Sequence, residues 1–260
     1  MKKAFVIFLI MMGLSIANIA KADPPLSNHS EKLNYTVYYN WGVVWINGGT
    51  LTLKASPDSI NGKTLRKIEG IGKSSSKWKW LFELEDHYTT WCNPDSFLPV
   101  KSVKKTMEGG YFIHNQYHFN YQDSMIYIRT EESKKSLAFD TIAINHKVFD
   151  AQSATTYLRF LDFNSRLVGD TLVLHILMDG ELRKQKIIFK GKKNLKDKDN
   201  QAYSTYKFTA VVAEHNLFSS SDAINVWITD DDKRIPLYIE ANLTVGSVKI
   251  FHNGIKLKAE

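Results

Sequence analysis

Apolar and polar positions alternate through most of the chain, a pattern that predicts strands. In residues 33–41, Leu33, Tyr35, Val37, Tyr39 and Trp41 share one face, against Asn34, Thr36, Tyr38 and Asn40. Residues 77–85 set Trp78, Trp80, Phe82 and Leu84 against Lys77, Lys79, Glu83 and Glu85. Residues 111–121 set Tyr111, Ile113, Tyr117, Phe119 and Tyr121 against His114, Gln116, His118 and Asn120. A period of two gives each strand one buried and one wet face, the habit of antiparallel sheets.

Turn chemistry separates these runs. Asp179-Gly180 stands between Thr171–Met178 and Glu181–Lys190, and glycine there accepts the positive φ of a tight hairpin turn. Asn47-Gly48-Gly49, Asn61-Gly62, Glu108-Gly109-Gly110 and Asp230-Asp231-Asp232-Lys233 punctuate other strand pairs, and Gly169-Asp170 marks a strand start. One segment departs from the rhythm. From Asp150 to Phe163, Ala154, Tyr157, Leu158 and Leu161 follow helical spacing, with Asp150 as the N-cap. Residues 190–200 (KGKKNLKDKDN) read as a solvated hairpin tip or loop. The expected fold is mostly β: curved antiparallel sheets forming a sandwich or open barrel, with one amphipathic helix near 150–163.

The opening residues change the picture of where this fold works. Lys2 and Lys3 precede an apolar run from Phe5 to Leu14, and Ala20-Lys21-Ala22 supplies the small residues of a cleavage site. Residues 1–22 are therefore expected to be a signal peptide, and residues 23–260 a single β-rich domain in the periplasm or at the cell surface. The apolar run is short for a bilayer span, so no membrane span is expected after cleavage. Nor do the strands read as an outer-membrane barrel, since several carry Lys, Arg and Glu on their wet face. Residues 1–22 contain Lys2, Lys3 and Lys21 and no acid, so the formal charge falls from +7 to +4 without them. That excess is ordinary for solubility and does not call for nucleic acid. Cys92 is the lone cysteine; it cannot form a disulfide within the chain and reads as a packed thiol.

Several blocks now fall in order: Leu33–Val37, Ile46–Thr50, Asn93–Val100, Asp150 with Tyr157-Leu158-Arg159, Gly169-Asp170, Trp227–Pro236 and Val245–Val248. Their order resembles the exported bacterial Domain of Unknown Function 3108 family across roughly 33–250. The W-x-T-D-D-x-x-R-x-P block, carried by Trp227, Asp230, Asp231, Arg234 and Pro236, is its most specific part. The resemblance implies export and an architecture similar to the YmcC-like fold, with strands in curved sheets and little helix. It carries no catalytic residues. The connection after the first strand, expanded by Trp41 and Trp45, and the Lys-rich segment before Ala202 depart from the usual pattern.

Motif chemistry is sparse. Asp230-Asp231-Asp232 lacks the Gly and distant Glu of a calcium loop and reads as turn capping, with one carboxylate paired to Arg234. His114 and His118 on a strand stand roughly 13 Å apart, too far to share an ion. No G-x-S-x-G elbow, S-x-x-K or phosphate loop occurs. No catalytic residue, metal or cofactor is assigned. Aromatics are the suggestive feature: Trp41, Trp45, Trp78 and Trp80 are the candidate ligand-binding residues, on strands that line a concave face. Val43-Val44-Trp45-Ile46 is apolar at consecutive positions, so both of its faces are expected to be covered, by protein or ligand. The expected function is non-catalytic binding of an apolar or amphipathic envelope component, a lipid or a glycan. The alternatives are a hydrolase acting on envelope glycans or peptides, and a structural or adhesive partner of another exported protein.

Overall fold

The computed structural model describes residues 29–78, 83–197, 199–211 and 224–255. The segment read as a signal peptide lies outside them, as does Trp80.

The chain meanders through eight strands: β1 (Glu31–Trp41), β2 (Val44–Ile60), β3 (Lys63–Ser74), β4 (Leu84–Cys92), β5 (Pro99–Glu108), β6 (Tyr111–Asn120), β7 (Met125–Glu132) and β8 (Ala138–Ala143). A short β9 (Val148–Phe149) leads into helix α1 (Ala151–Arg159). A second meander follows: β10 (Thr171–Met178), β11 (Glu181–Lys196), β12 (Ala202–Val211), β13 (Ile224–Thr229), β14 (Pro236–Asn242) and β15 (Ser247–His252). All fifteen strands join in one sheet, in the order 8-7-6-5-4-3-2-1-15-14-13-12-11-10-9. The pairing of β1 with β15, Val37 opposite Ile250, unites the two meanders. Every pairing is antiparallel except that of β9 with β10.

The expected curved sheets are thus one open sheet. Right-handed strand twist curls a sheet this wide. Its two flanks touch through side chains: Tyr117, Phe119, Ile126 and Ile128 of β6 and β7 cluster with Val148 and Leu177 from β9 and β10. The Tyr121 hydroxyl donates to the Val148 carbonyl at 2.9 Å. Edges β8 and β9 share no ladder, so the barrel remains unclosed.

Helix α1 lies within this curl. Its Asp150 cap accepts from the Ser153 amide at 2.8 Å, and the Ser153 hydroxyl in turn accepts from the Asp150 amide at 3.0 Å. Ala151, Ala154 and Leu158 pack among Leu33, Tyr35, Leu51, Leu174 and Ile176. The amphipathic helix is shorter than 150–163, and its polar face is covered too, since Gln152, Ser153, Thr156 and Arg159 are buried. Gln152 shows how polar helix groups are accommodated inside a sheet: its Nε2 donates to the Tyr88 carbonyl at 3.0 Å and its Oε1 accepts from Thr90 at 3.0 Å. This close approach requires Gly70, where an added Cβ would stand 2.6 Å from Gln152 Nε2.

Two strand expectations are corrected. Among the described residues of 77–85, Lys77 and Trp78 fall in a 3₁₀ turn (Ser76–Trp78) and strand begins only at Leu84, the start of β4. The Lys-rich run from 190 is mostly strand, because β11 continues to Lys196 by pairing with β12 past a bulge after Phe189. Alternation was absent there because the far end of β11 is wet on both faces. The Asp179-Gly180 hairpin has φ of 47° and 81°, both positive as a primed turn requires.

Candidate functional site

The Trp227–Pro236 block is a hairpin tip whose Asp230, Asp231 and Arg234 are engaged by neighbouring groups of the protein. Asp231 Oδ1 accepts from the Thr229 hydroxyl at 2.6 Å and from the amides of Lys233 and Arg234 at 3.1 and 3.0 Å. Asp230 Oδ2 accepts from Lys192 at 2.7 Å and Ser204 at 3.2 Å, while its Oδ1 lies 4.0 Å from Arg234 Nη1. The Arg234 guanidinium sits 4.8 Å from the ring centres of both Phe163 and Tyr206. Pro236 opens β14 opposite Ile228. Each of these groups is engaged within the protein. Among the described residues, no cluster of three or more His, Cys, Asp or Glu side chains is placed to hold a metal ion.

The two candidate tryptophans with described side chains, Trp41 and Trp45, do not share a concave surface. Trp45 lies on the outer face, 6.4 Å from Phe251 in a stacked arrangement and 6.0 Å from Tyr38. Phe251 stacks on Tyr238 at 4.9 Å, and Tyr238 on Trp227 at 4.8 Å. Lys249 stands 4.8 Å over Trp45 and Lys207 4.6 Å over Trp227. The faces of this stack are occupied by one another and by the two cations, so it braces the β1–β15 seam from outside. Trp41 is 62% exposed at the β1–β2 tip. Trp78 falls in the 3₁₀ turn and its side chain, like all of Trp80, lies outside the described residues. Val43 and Val44 are exposed, so the described protein does not cover both faces of that apolar run.

Strand direction gathers particular loops at one end. The β1–β2, β5–β6, β7–β8, β10–β11 and β14–β15 turns all face the same way, since β15 begins beside the end of β1, with Asn40 opposite Ser247. Exposed large apolar side chains concentrate there: Trp41, Val43, Val44, Met107, Leu137 and Val245.

The concavity that opens toward this end is built from the inner faces of β4 to β7. Cross-strand pairing lays down three inward rows: Thr90-Ser102-Tyr117-Ile128, Tyr88-Lys104-Asn115-Thr130 and Asp86-Thr106-Ile113-Glu132. The β10–β11 tip closes the opposite side. A cavity of about 320 Å³ runs from Lys104, Asn115 and Tyr117 out to Glu108, Tyr111, Glu132, Lys135 and Gly180. A smaller lobe of about 50 Å³ continues inward past Tyr88, Leu177 and Met178 to the start of α1. The two share Lys104, Tyr117 and Asp179.

Polar groups at this site fall into two kinds. Around the inner lobe they are satisfied: Asp150 Oδ2 accepts from both Thr90 and Ser102, and Lys104 Nζ donates to Asp179 Oδ1. Farther out they are not: Asp86 Oδ1 and Thr106 Oγ1 of the third row and Asn115 Oδ1 of the second are buried without a well-formed hydrogen bond. Burial raises the Asp86 carboxyl to about 6, tempered by the Thr106 hydroxyl and the Lys104 ammonium and reinforced by the Glu108 and Asp179 carboxylates. Burial likewise raises the Tyr88 and Tyr117 hydroxyls above their ordinary range.

None of these residues stood out in the sequence. The available signal was β5, where Lys101-Ser102-Val103-Lys104-Lys105-Thr106 is polar on both faces. A strand polar on both faces in the middle of a curled sheet has a wet interior.

The family described as "Protein of unknown function (DUF3108)" matches residues 34–251. Among curated proteins, none gives a significant match. The fold is similar to the crystal structure of a beta-barrel-like protein of domain of unknown function DUF1849 from Brucella abortus. The TM-score is 0.52 at 8% identity, over 87% of this chain and 97% of that one.

Proposed function

The chain belongs to the DUF3108 family, and from that premise we propose that it is an exported binding protein for an amphipathic envelope molecule, held by its polar head. One observation carries the reading: a cavity of about 320 Å³ with converging polar groups opens at the end of the sheet where exposed apolar side chains concentrate. Exposed apolar patches mark interaction surfaces, and concave sites with converging polar groups mark ligand sites. The two together suit a molecule whose head enters among Lys104, Thr106, Asn115 and Glu132 while its chain lies toward Met107 and Leu137, near the lining residues Glu108 and Lys135. The cavity's polar rows favour a head over an acyl chain as the enclosed part. Export is the expectation from residues 1–22, and it supplies the compartment where such molecules occur.

Native mass spectrometry of the protein purified from its own envelope fraction tests this reading. An amphipathic adduct is expected, and it should disappear in Asn115→Phe, which fills the cavity. A protein that carries no adduct from that fraction and binds no added lipid counts against the reading.

A second reading has one observation in its favour. Asp86, raised to about 6, lies beside the carboxylates of Glu108 and Asp179, the pattern of a general acid among anions. It predicts turnover of fluorogenic glycosides or peptides that Asp86→Asn abolishes.

A further inference from the structure

Taking the cavity reading above as its basis, we propose that the head bound there is a protonated amine, with its N–H groups directed at Thr106 and Asn115.

The lining favours a donor over an acceptor. Asp86 Oδ1 and Asn115 Oδ1 accept hydrogen bonds only, and the Thr106 hydroxyl accepts as readily as it donates. All three atoms are buried without a well-formed hydrogen bond, although the Thr106 hydroxyl stands close enough to Asp86 to ease its ionisation; their residues are at least nine-tenths buried, and Thr106 and Asn115 stand on the cavity wall. Leaving such acceptors unpaired costs free energy, and a ligand rich in N–H groups recovers it.

Charge points the same way. The cavity and its immediate surround hold four carboxylates, Asp86, Glu108, Glu132 and Asp179, against two ammonium groups, Lys104 and Lys135. Both ammonium groups are already engaged, Lys104 with Asp179 and Lys135 with Glu132 at 3.0 Å. This acidic concavity sits in a chain whose formal charge is +7. A carboxylate or phosphate placed between Thr106 and Asn115 would face Asp86 and Glu108. A neutral sugar would satisfy the acceptors but leave the buried Asp86 carboxylate with only Lys104, itself paired with Asp179, to offset its charge. An ammonium group satisfies both, in a site where low dielectric strengthens the attraction.

The comparison of three decyl amphiphiles below their micelle concentrations, decylammonium, decanoate and decyl maltoside, isolates the head from the chain. Isothermal titration at pH 7.5 should give decylammonium at least tenfold tighter binding than either of the others. Asp86→Asn and Thr106→Val should each narrow that preference toward parity while circular dichroism stays unchanged. Equal binding of all three heads, a preference for decanoate, or a preference for the amine that survives Asp86→Asn would overturn the amine assignment and leave the cavity reading standing. Failure of all three to bind would remove both.

Discussion

Arg159, in the last turn of α1, holds Glu31 of β1 through two parallel hydrogen bonds, Nη1 to Oε1 and Nη2 to Oε2, the latter 2.9 Å. The same guanidinium donates to the carbonyls of Lys233 and Arg234 at 3.0 and 2.8 Å. One buried side chain therefore ties the enclosed helix to the first strand and to the β13–β14 turn.

Truncating Arg159 leaves Glu31 charged beneath the surface and two carbonyls without donors. Arg159→Ala should therefore cost about 3–5 kcal/mol in urea unfolding. Arg159→Lys should recover only part of it, because a single ammonium cannot reproduce the fork. A loss below about 1 kcal/mol for Arg159→Ala would show that the helix is held by apolar packing alone.

The other arginine of this junction works differently. Arg234 adopts φ of 48° and its guanidinium lies against the rings of both Phe163 and Tyr206. Arg234→Ala should lower stability by about 1–3 kcal/mol, through lost ring contacts and a left-handed backbone that alanine tolerates poorly. Arg234→Gly should be the milder change, since glycine accepts that φ. Calcium and chelators should leave the melting temperature unchanged, because Asp231 Oδ1 is occupied by the turn it caps. Stabilisation by calcium that Asp231→Asn removes would mean that the turn opens to take a metal ion.

Local chemistry made much of this fold readable. Alternation marked β1 and β6, Asp179-Gly180 marked its hairpin, and Asp150 marked the start of α1, because each signal lies within a few adjacent residues. The rest depends on distant partners. β11 extends to Lys196 only because Tyr203 to Tyr206 pair with it. The covering of the polar face of helix α1 could not be read, because nothing nearby in sequence shows Tyr88 and Thr90 waiting for Gln152. The cavity was hidden for a related reason: reading an apolar face as the inner face overlooks strands such as β5 that turn polar residues inward.

Cys92 has no solvent exposure, and burial pushes its thiol well above the ordinary range; its Sγ lies 3.5 Å from the Arg66 carbonyl. A thiol so placed has almost no thiolate at neutral pH. The native protein should therefore resist a thiol-specific disulfide reagent for as long as it stays folded, with reaction tracking unfolding in urea. Cys92→Ser should fold, since its hydroxyl is able to donate to the same carbonyl, at a cost of about 1 kcal/mol. Rapid labelling of the native protein would place the thiol in an accessible, reactive setting instead.

Asp86 supplies the prediction that joins stability to the binding site. Its carboxyl stands at about 6 in the folded protein against an ordinary 3.8, so the native state holds the proton more tightly than the unfolded chain. By linkage, well below pH 4 both states are protonated and the group costs nothing. Between about pH 4 and 6 the unfolded chain gives up the proton while the native state keeps it, so stability falls, by about 3 kcal/mol in all for a shift of this size. Above pH 6 the cost is constant. Asp86→Asn removes the ionisation while nearly keeping the shape, so it should stabilise the protein by about 1–3 kcal/mol at pH 7.5 and by almost nothing at pH 3. Urea unfolding of both proteins at the two pH values measures this directly. A residue kept for packing alone would be expected to stabilise the fold it packs in. A variant that is more stable at pH 7.5 and has lost its preference for an amine head would identify Asp86 as an acid retained for binding. Destabilisation at pH 7.5 would instead make the carboxylate a structural partner of Lys104.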